Sequence, residues 1–210
     1  MTNENREYFS YEPALGHGLP HDPFNAIVGP RPIGWIGSRS VQGVLNIAPY
    51  SFFNAFNYIP PIIGFSSIGY KDSVRNIEEN GEFTWNLVTG DLLEKMNQTC
   101  APLPPEQSEF GFAKLTPLDS DLISAPRVLE SPVTFECQKI GITQLQTKEG
   151  EKINSWLILG EVIRVHIATD LLENGIYKTE KAGHILRGGG PADYFTIGPD
   201  QLVKLGRPAL

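Results

Sequence analysis

The stretch Gly64–Ile77, GFSSIGYKDSVRNI, carries the residue types best suited to holding a charged ligand. An apolar run ends in the hydroxyl pair Ser66 and Ser67, a turn follows at Gly69, and a helix opens at Asp72 or Ser73 with Lys71 beside its first turn. The unpaired N–H groups and positive dipole end of such a helix start favour an anion. Hydroxyls can add hydrogen bonds, and the lysine ammonium a mobile charge. The same pattern also describes an ordinary N-capped helix with a solvated lysine, so this segment alone leaves both readings open.

A second stretch, LNIAPYSFFNAFN from Leu45 to Asn57, sets five aromatic or proline residues among small and amide side chains. It can supply the apolar slot and the few amide and backbone groups that a flavin ring requires; it also suits an aromatic core. Other chemistries lose their support. The sequence contains no G-x-G-x-x-G following a strand, no P-loop, no H-E-x-x-H and no G-x-S-x-G. Gly188-Gly189-Gly190 precedes Pro191 rather than a helix start and reads as a flexible turn. His17 and His21 are separated by Gly18 and Pro20, which break any helix that would align them on a metal, so they read as loop histidines. Cys100 and Cys137 have neither CxxC nor metal-type spacing and read as reduced structural thiols, with no metal site expected.

The elements that must position these residues are mostly strands. Seventeen prolines and twenty-one glycines cut the chain into short segments rich in β-branched and aromatic residues. Ile33–Ser38 and Val44–Ala48 read as a hairpin turning at Gly43, and Ile62–Ser66 as a further strand. Phe83, Trp85 and Leu87 alternate with polar neighbours as in a half-buried strand; Val133, Phe135 and Cys137 do the same, and Trp156–Ala168 is a long β-forming run. Helical spacing appears at Asp72–Asn80 and Asp91–Thr99. Between Cys100 and Pro132, six prolines and little periodicity indicate a lid or a surface excursion. The residues from Gly198 onward are expected to run along a surface or a partner subunit, or to be disordered. Strand–helix alternation does not continue, which disfavours a doubly wound sheet.

Length fits one domain over residues 1–210. A net charge of −7 without a basic cluster argues against nucleic acid as a partner. The polar start MTNENREYFSYEP and the lack of a long apolar run lead to the expectation of a cytoplasmic protein with no membrane association.

Taken together, these segments resemble the flavin reductase-like, FMN-binding split-barrel family, which includes flavoredoxins and the reductase components of two-component flavin monooxygenases. The resemblance rests on Arg31-Pro32, Asn46 through Asn54, Pro60-Pro61, Lys71-Asp72-Ser73 with Asn76-Ile77, Glu82-Phe83 with Asn86-Leu87-Val88, Glu130-Ser131-Pro132 with Glu136-Cys137, and Gly160-Glu161-Val162, in order from about Phe24 to Tyr194. It implies a mainly β, Greek-key split barrel with short accessory helices, forming a homodimer with noncovalent FMN at or near the subunit interface. It further implies that Ser66, Lys71, Asp72 and Ser73 lie at the phosphate, and that Pro49, Tyr50, Ser51, Phe53 and Asn54 line the ring and ribityl chain. Ser38 and Asn46 flank them, and Arg187 and Tyr194 match a segment close to the flavin. Some members carry a histidine before the Gly-Glu-Val strand; Ser155 and Trp156 stand there instead, and His166, further along, reads as a barrel or edge histidine.

The expected activity is NAD(P)H-dependent flavin reduction, in which the cofactors carry the chemistry and no protein acid or base is required. Arg187 is then expected to stabilise the reduced flavin's charge or the dinucleotide phosphates. A monooxygenase or other electron-accepting protein would be a partner. The alternatives are a flavoredoxin-type carrier with tightly held FMN and no direct nicotinamide use, and a split-barrel dimer without catalytic function.

Overall fold

Turn chemistry and strand periodicity organise the chain as expected at most points. The structure, a computed structural model, describes residues 6–206 and 208. In chain order the elements are α1 (Phe24–Ile27), β1 (Arg31–Pro32), β2 (Gly34–Arg39), β3 (Leu45–Tyr50), β4 (Phe53–Asn57), β5 (Ile62–Ile68), α2 (Asp72–Asn80), β6 (Glu82–Asn86), α3 (Leu93–Gln98), α4 (Glu109–Phe112), β7 (Val133–Gln146), β8 (Lys152–Ile167), β9 (Ile185–Arg187) and β10 (Tyr194–Thr196). Two-residue strand pairs join Pro117–Leu118 to Arg127–Val128 and Leu172–Glu173 to Ile176–Tyr177. The β2–β3 hairpin turns at Gly43, whose φ of 87° is one that side-chain-bearing residues rarely adopt.

Seven antiparallel strands form one sheet in the order β3-β2-β6-β7-β8-β5-β4, and β1, β9 and β10 form a second. The large sheet curls on itself: Tyr50 on β3 and Phe65 on β5, strands far apart in that order, have ring centroids 4.5 Å apart. Phe65, Phe83 and Ile158 fill the interior, and α2 closes over it with Val74 and Ile77, one helical turn apart and fully buried. The result is the mainly β split barrel with short accessory helices. No helix among the described residues is long and apolar enough to cross a membrane.

Four local expectations are corrected. Strand β6 is not half-buried: Thr84 and Asn86, its polar face, are as fully buried as Phe83. Their partners come from the proline-rich segment, where the Pro126 carbonyl accepts from the Thr84 hydroxyl at 2.6 Å and the Val128 N–H donates to Asn86 Oδ1 at 2.8 Å. That segment is accordingly neither a free lid nor a loose excursion. Phe110, Ala113, Leu115 and Val128 pack with Trp35, Ile47 and Met96 into a second core cluster on the outer side of β2 and β3. The glycine run is not simply a flexible turn, because a Cβ on Gly189 would overlap the backbone of Ala26 in α1. The helix expected from Asp91 also begins as a 3₁₀ turn, Gly90–Leu92, before α3. From Gly198 to Gly206 the chain lies at the surface; Arg207, Ala209 and Leu210, and the first five residues of the polar N-terminus, lie outside the described residues.

The outer packing is tight enough to test. A Cβ on Gly37 would overlap both the Pro126 carbonyl and the Thr84 hydroxyl. Overpacking of this kind costs about 1–3 kcal/mol, and a chain of this size loses roughly 2–4 °C in Tm per kcal/mol. Gly37→Ala is therefore expected to lower the melting temperature by several degrees in a calorimetric scan; an unchanged Tm would mean that the segment is not seated on β2.

Glu136, fully buried on β7, ties the same segment down from the other side. Its carboxylate accepts from the N–H groups of Asp121 and Leu122, each at 2.8 Å, and from His166 Nε2 at 2.7 Å. Burial alone would raise its pKa, but these donors outweigh burial and hold it below the ordinary carboxylate range. A depressed folded pKa stabilises the fold above the unfolded value, and that contribution is lost as pH falls through the folded one. Melting temperatures measured between pH 7 and pH 3 should drop on acidification, less steeply in Glu136→Gln than in the parent chain; parallel curves would remove Glu136 as the cause. Although Asp121, Glu136 and His166 bring possible metal ligands together, Arg164 at 3.3 Å and Arg127 at 3.9 Å already face Asp121, so the group reads as an ion-pair network. His166 is thus a barrel histidine engaged in structure.

Candidate functional site

Helix α2 starts without a cap. Its N-cap residue is Lys71, in extended conformation, and no side chain caps the helix. A lysine side chain has no acceptor to offer. The first helical hydrogen bond runs from the Arg75 N–H to the Lys71 carbonyl at 3.0 Å, so the N–H groups of Asp72, Ser73 and Val74 have no acceptor within the helix. The turn before it is shaped by Gly69, at φ 92°, and by the Ser67 hydroxyl, which donates to the Gly69 carbonyl at 2.8 Å. Of the two readings the sequence left open, the ordinary capped helix has no cap in the structure.

In front of this helix start lies a cleft of about 460 Å³. Strand β3 contributes Asn46, Pro49 and Tyr50, and the helix start contributes Lys71, Asp72 and Ser73. The opposite wall is the chain from Thr99 to Leu103, together with Glu109 of α4. The Tyr50 hydroxyl is buried beside Ser67 and Ser73 and has no hydrogen-bond partner; burial raises its pKa. Such an orphaned donor at the wall of a cavity is an available contact for a polar ligand.

Beneath the cleft runs a buried polar chain that crosses four elements. Glu109 Oε2 accepts from Asn46 Nδ2 at 3.1 Å and from the Ile47 N–H at 3.3 Å. Asn46 Oδ1 in turn accepts from the hydroxyls of Ser73, at 2.8 Å, and Ser38, at 3.1 Å, and Asn76 Nδ2 donates to Ser38 at 3.2 Å. With its hydroxyl proton turned inward to Asn46, Ser73 offers the cleft its backbone N–H. Asp72 is paired with Arg75 one turn on. Burial pushes the Glu109 carboxyl above its ordinary pKa, against the pull of the donors around it. Glu109 is not nominated by the sequence, where it sits in an aperiodic proline-rich stretch; the only local signal is Ser108, a residue type common at N-caps, ahead of the turn EFGF.

The remaining nominated residues separate into three places. Ser51, Arg187 and Tyr194 line an adjoining recess of about 190 Å³, which shares Pro49 and Cys100 with the cleft. Burial raises the Cys100 pKa, partly offset by the nearby charges of Lys71 and Arg187. Ser38 is completely buried within the polar chain. Phe53, Asn54 and Ser66 lie away from the cleft: Phe53 stacks on Trp85 at 5.7 Å, Asn54 is exposed and accepts from the Ala55 N–H, and Ser66 bonds Ser155 at 3.0 Å. Strand parity separates the two serines, since Ser67 shares the inward face with Phe65 while Ser66 points to the opposite side. There Ser66 borders an apolar groove formed by Phe24, Val28, Phe52, Ile68 and Ile153.

Comparison with known proteins agrees with this architecture. The family model described as "Flavin reductase like domain" matches residues 29–185. The chain is 37% identical over 187 residues to an uncharacterised protein of Halalkalibacterium halodurans, covering 86% of this chain and 87% of that one. Among solved structures it is similar to nitrilotriacetate monooxygenase component B from Bacillus cereus, with a TM-score of 0.85 and 33% identity over 96% of this chain and 100% of that one. It is also similar to Pseudomonas fluorescens 2-nitrobenzoate 2-nitroreductase, with a TM-score of 0.76 and 26% identity over 88% of each chain. With the family model spanning most of the sequence and the same fold on both sides of the comparison, the chain belongs to the flavin reductase-like family.

Proposed function

We propose that the protein binds FMN noncovalently in the cleft and catalyses hydride transfer from NAD(P)H to flavin. The observation that carries this reading is the uncapped start of α2, with Lys71 beside it, facing a cavity of a size suited to a cofactor. The donor set fits a phosphate monoester: free N–H groups, a helix dipole and an ammonium at one end of the cleft, with the orphaned Tyr50 hydroxyl and the Pro49 ring further along it.

FMN, when bound, supplies a two-electron acceptor that takes hydride from a nicotinamide ring stacked on it. The residues of this chain orient and enclose. Lys71 and the N–H groups of Asp72 and Ser73 would hold the phosphate; Pro49 and Tyr50 would flank the ring system, and Thr99–Leu103 would keep water from it. Glu109 and Asn46 fix the helix start relative to β3.

The protein is proposed to act as a homodimer in the cytoplasm, delivering electrons to a monooxygenase or another electron-accepting protein. The apolar groove beside Ser66 supports the dimer, and Ser66, Phe53 and Asn54, distant from their own cleft, would reach a flavin only from the partner subunit. Sedimentation should give twice the chain mass, and Ile68→Glu, which puts a charge into the groove, should halve it. For the activity, the purified protein should be yellow or turn yellow with FMN, and should oxidise NADH or NADPH rapidly when FMN is added. A yellow protein inert to both would favour the carrier, and a colourless one that fails to take up FMN would end the flavin reading.

A further inference from the structure

Strands β6, β7 and β8 carry a band of polar side chains on their outer face. Across the ladders Thr84 stands opposite Glu136, Asn86 opposite Thr134, and Thr134 opposite His166, so all five share that face. The proline-rich segment lies over the band and meets most of it. Thr84 donates to the Pro126 carbonyl, Asn86 accepts from the Val128 N–H, and Glu136 accepts from Asp121, Leu122 and His166. Thr134 is the exception: it is only 3% exposed, and among the described residues its hydroxyl has no hydrogen-bond partner.

Between Thr134 and the segment lies a cavity of about 280 Å³, with Leu118, Arg127 and Pro132 on the segment side and His166 and Ile167 on the β8 side. Arg127 brings a second orphan to it, since its Nε is buried and has no partner among the described residues. Its side chain is 12% exposed, and its charge is loosely met. Nη2 donates to the Asp119 carbonyl at 3.0 Å and stands 3.9 Å from Asp121, whose carboxylate lies nearer to Arg164, at 3.3 Å. The other charged or titratable groups at the cavity are already engaged. His166 Nε2 is on Glu136 at 2.7 Å, and Glu130 accepts from Lys95 at 3.4 Å and from the Thr116 N–H at 3.2 Å. An arginine N–H can only donate, and a buried donor left unpaired is a cost to the fold.

We propose that this cavity is a binding site for a small monocarboxylate with an apolar body, separate from the cleft. A carboxylate offers one oxygen to Arg127 Nε and the other to the Thr134 hydroxyl, and its charge meets the guanidinium. Leu118, Pro132 and Ile167 would cover the rest of the ligand, and Leu129, more than half exposed, adds an apolar residue at the edge. A phosphate, polar on every side, would lose water to those apolar residues without return. Cavity and cleft have no lining residue in common, so occupancy here requires neither flavin nor nicotinamide.

Benzoate serves as the probe, titrated calorimetrically into FMN-loaded protein, in which the cleft is filled, and again into flavin-free protein. A single saturable site with the same dissociation constant in both is expected. Arg127→Gln should weaken benzoate about tenfold or more, and Thr134→Val roughly threefold. Because Arg127 also braces the segment, Thr134→Val guards against a misfolded variant: it removes a hydroxyl that bonds no other residue, so its melting temperature without benzoate should equal or exceed the parent's. Benzyl alcohol keeps the ring and lacks the charge, inorganic phosphate has the charge and lacks the ring, and each should bind about tenfold more weakly than benzoate or worse. Crystals grown with benzoate should place its carboxylate between Arg127 and Thr134. No saturable benzoate binding, unchanged affinity in both variants, phosphate binding as tight as benzoate, or only ordered water in the cavity would overturn the proposal. Displacement of benzoate by FMN would overturn it as well, by assigning that binding to the cleft. A protein that takes up no FMN leaves the test intact, because the flavin-free titration carries it.

Discussion

Replacing Lys71 by alanine is expected to weaken FMN well over tenfold and to leave riboflavin binding almost unchanged. Lys71 is exposed and stands at the N-cap of a helix that no side chain caps, so its ammonium is free to meet an anion at the mouth of the cleft. A hydrogen bond to a charged group contributes on the order of 1.5–3 kcal/mol, and riboflavin has no phosphate to lose it. Titration of the apoprotein, followed by quenching of flavin fluorescence, gives both constants. Equal losses for the two ligands would mean that Lys71 shapes the turn rather than contacting a phosphate. The salt dependence of FMN binding should also flatten in the variant, because an exposed charge is screened.

Removing the Glu109 side chain is expected to have the largest effect on the architecture of the cleft. Glu109→Ala deprives Asn46 Nδ2 and the Ile47 N–H of their acceptor, and each buried donor left unpaired costs roughly 1–3 kcal/mol. The melting temperature should fall by several degrees or more, and FMN affinity should fall with it as Asn46 loses the contact that orients it toward Ser73. Glu109→Gln separates shape from charge. Since burial raises the folded pKa of this carboxyl, its contribution to stability is full below the unfolded value and declines as pH rises through the folded one. Relative stability should therefore shift toward the glutamine variant between pH 4 and pH 8. A difference that stays constant with pH would show that the carboxyl is not burdened by its burial.

In the small sheet Arg31 stands opposite Arg187 and Arg187 opposite Tyr194; Arg31 and Arg187 are more than 150 residues apart in the chain, and only the pairing of β1 with β9 brings them together.

Elements whose cause is local could be read from the amino acids alone. The β2–β3 hairpin follows from Gly43 between two β-forming runs, and α2 from Val74 and Ile77 at helical spacing ending at Gly81. What required tertiary structure was every property set by a distant segment. The hydroxyl of Thr84 and the amide of Asn86 look solvent-facing until Pro126 and Val128 cover them. Ser66 and Ser67 are equivalent as hydroxyls, and only the seating of β5 against the core decides which of them turns inward. Glu109 becomes part of the cleft because α4 packs against β3, 62 residues earlier than itself at Ile47. Backbone propensity and turn chemistry act over a few residues, whereas burial and pairing depend on which surfaces meet, and those meetings made a cleft from strands, helix and proline-rich segment.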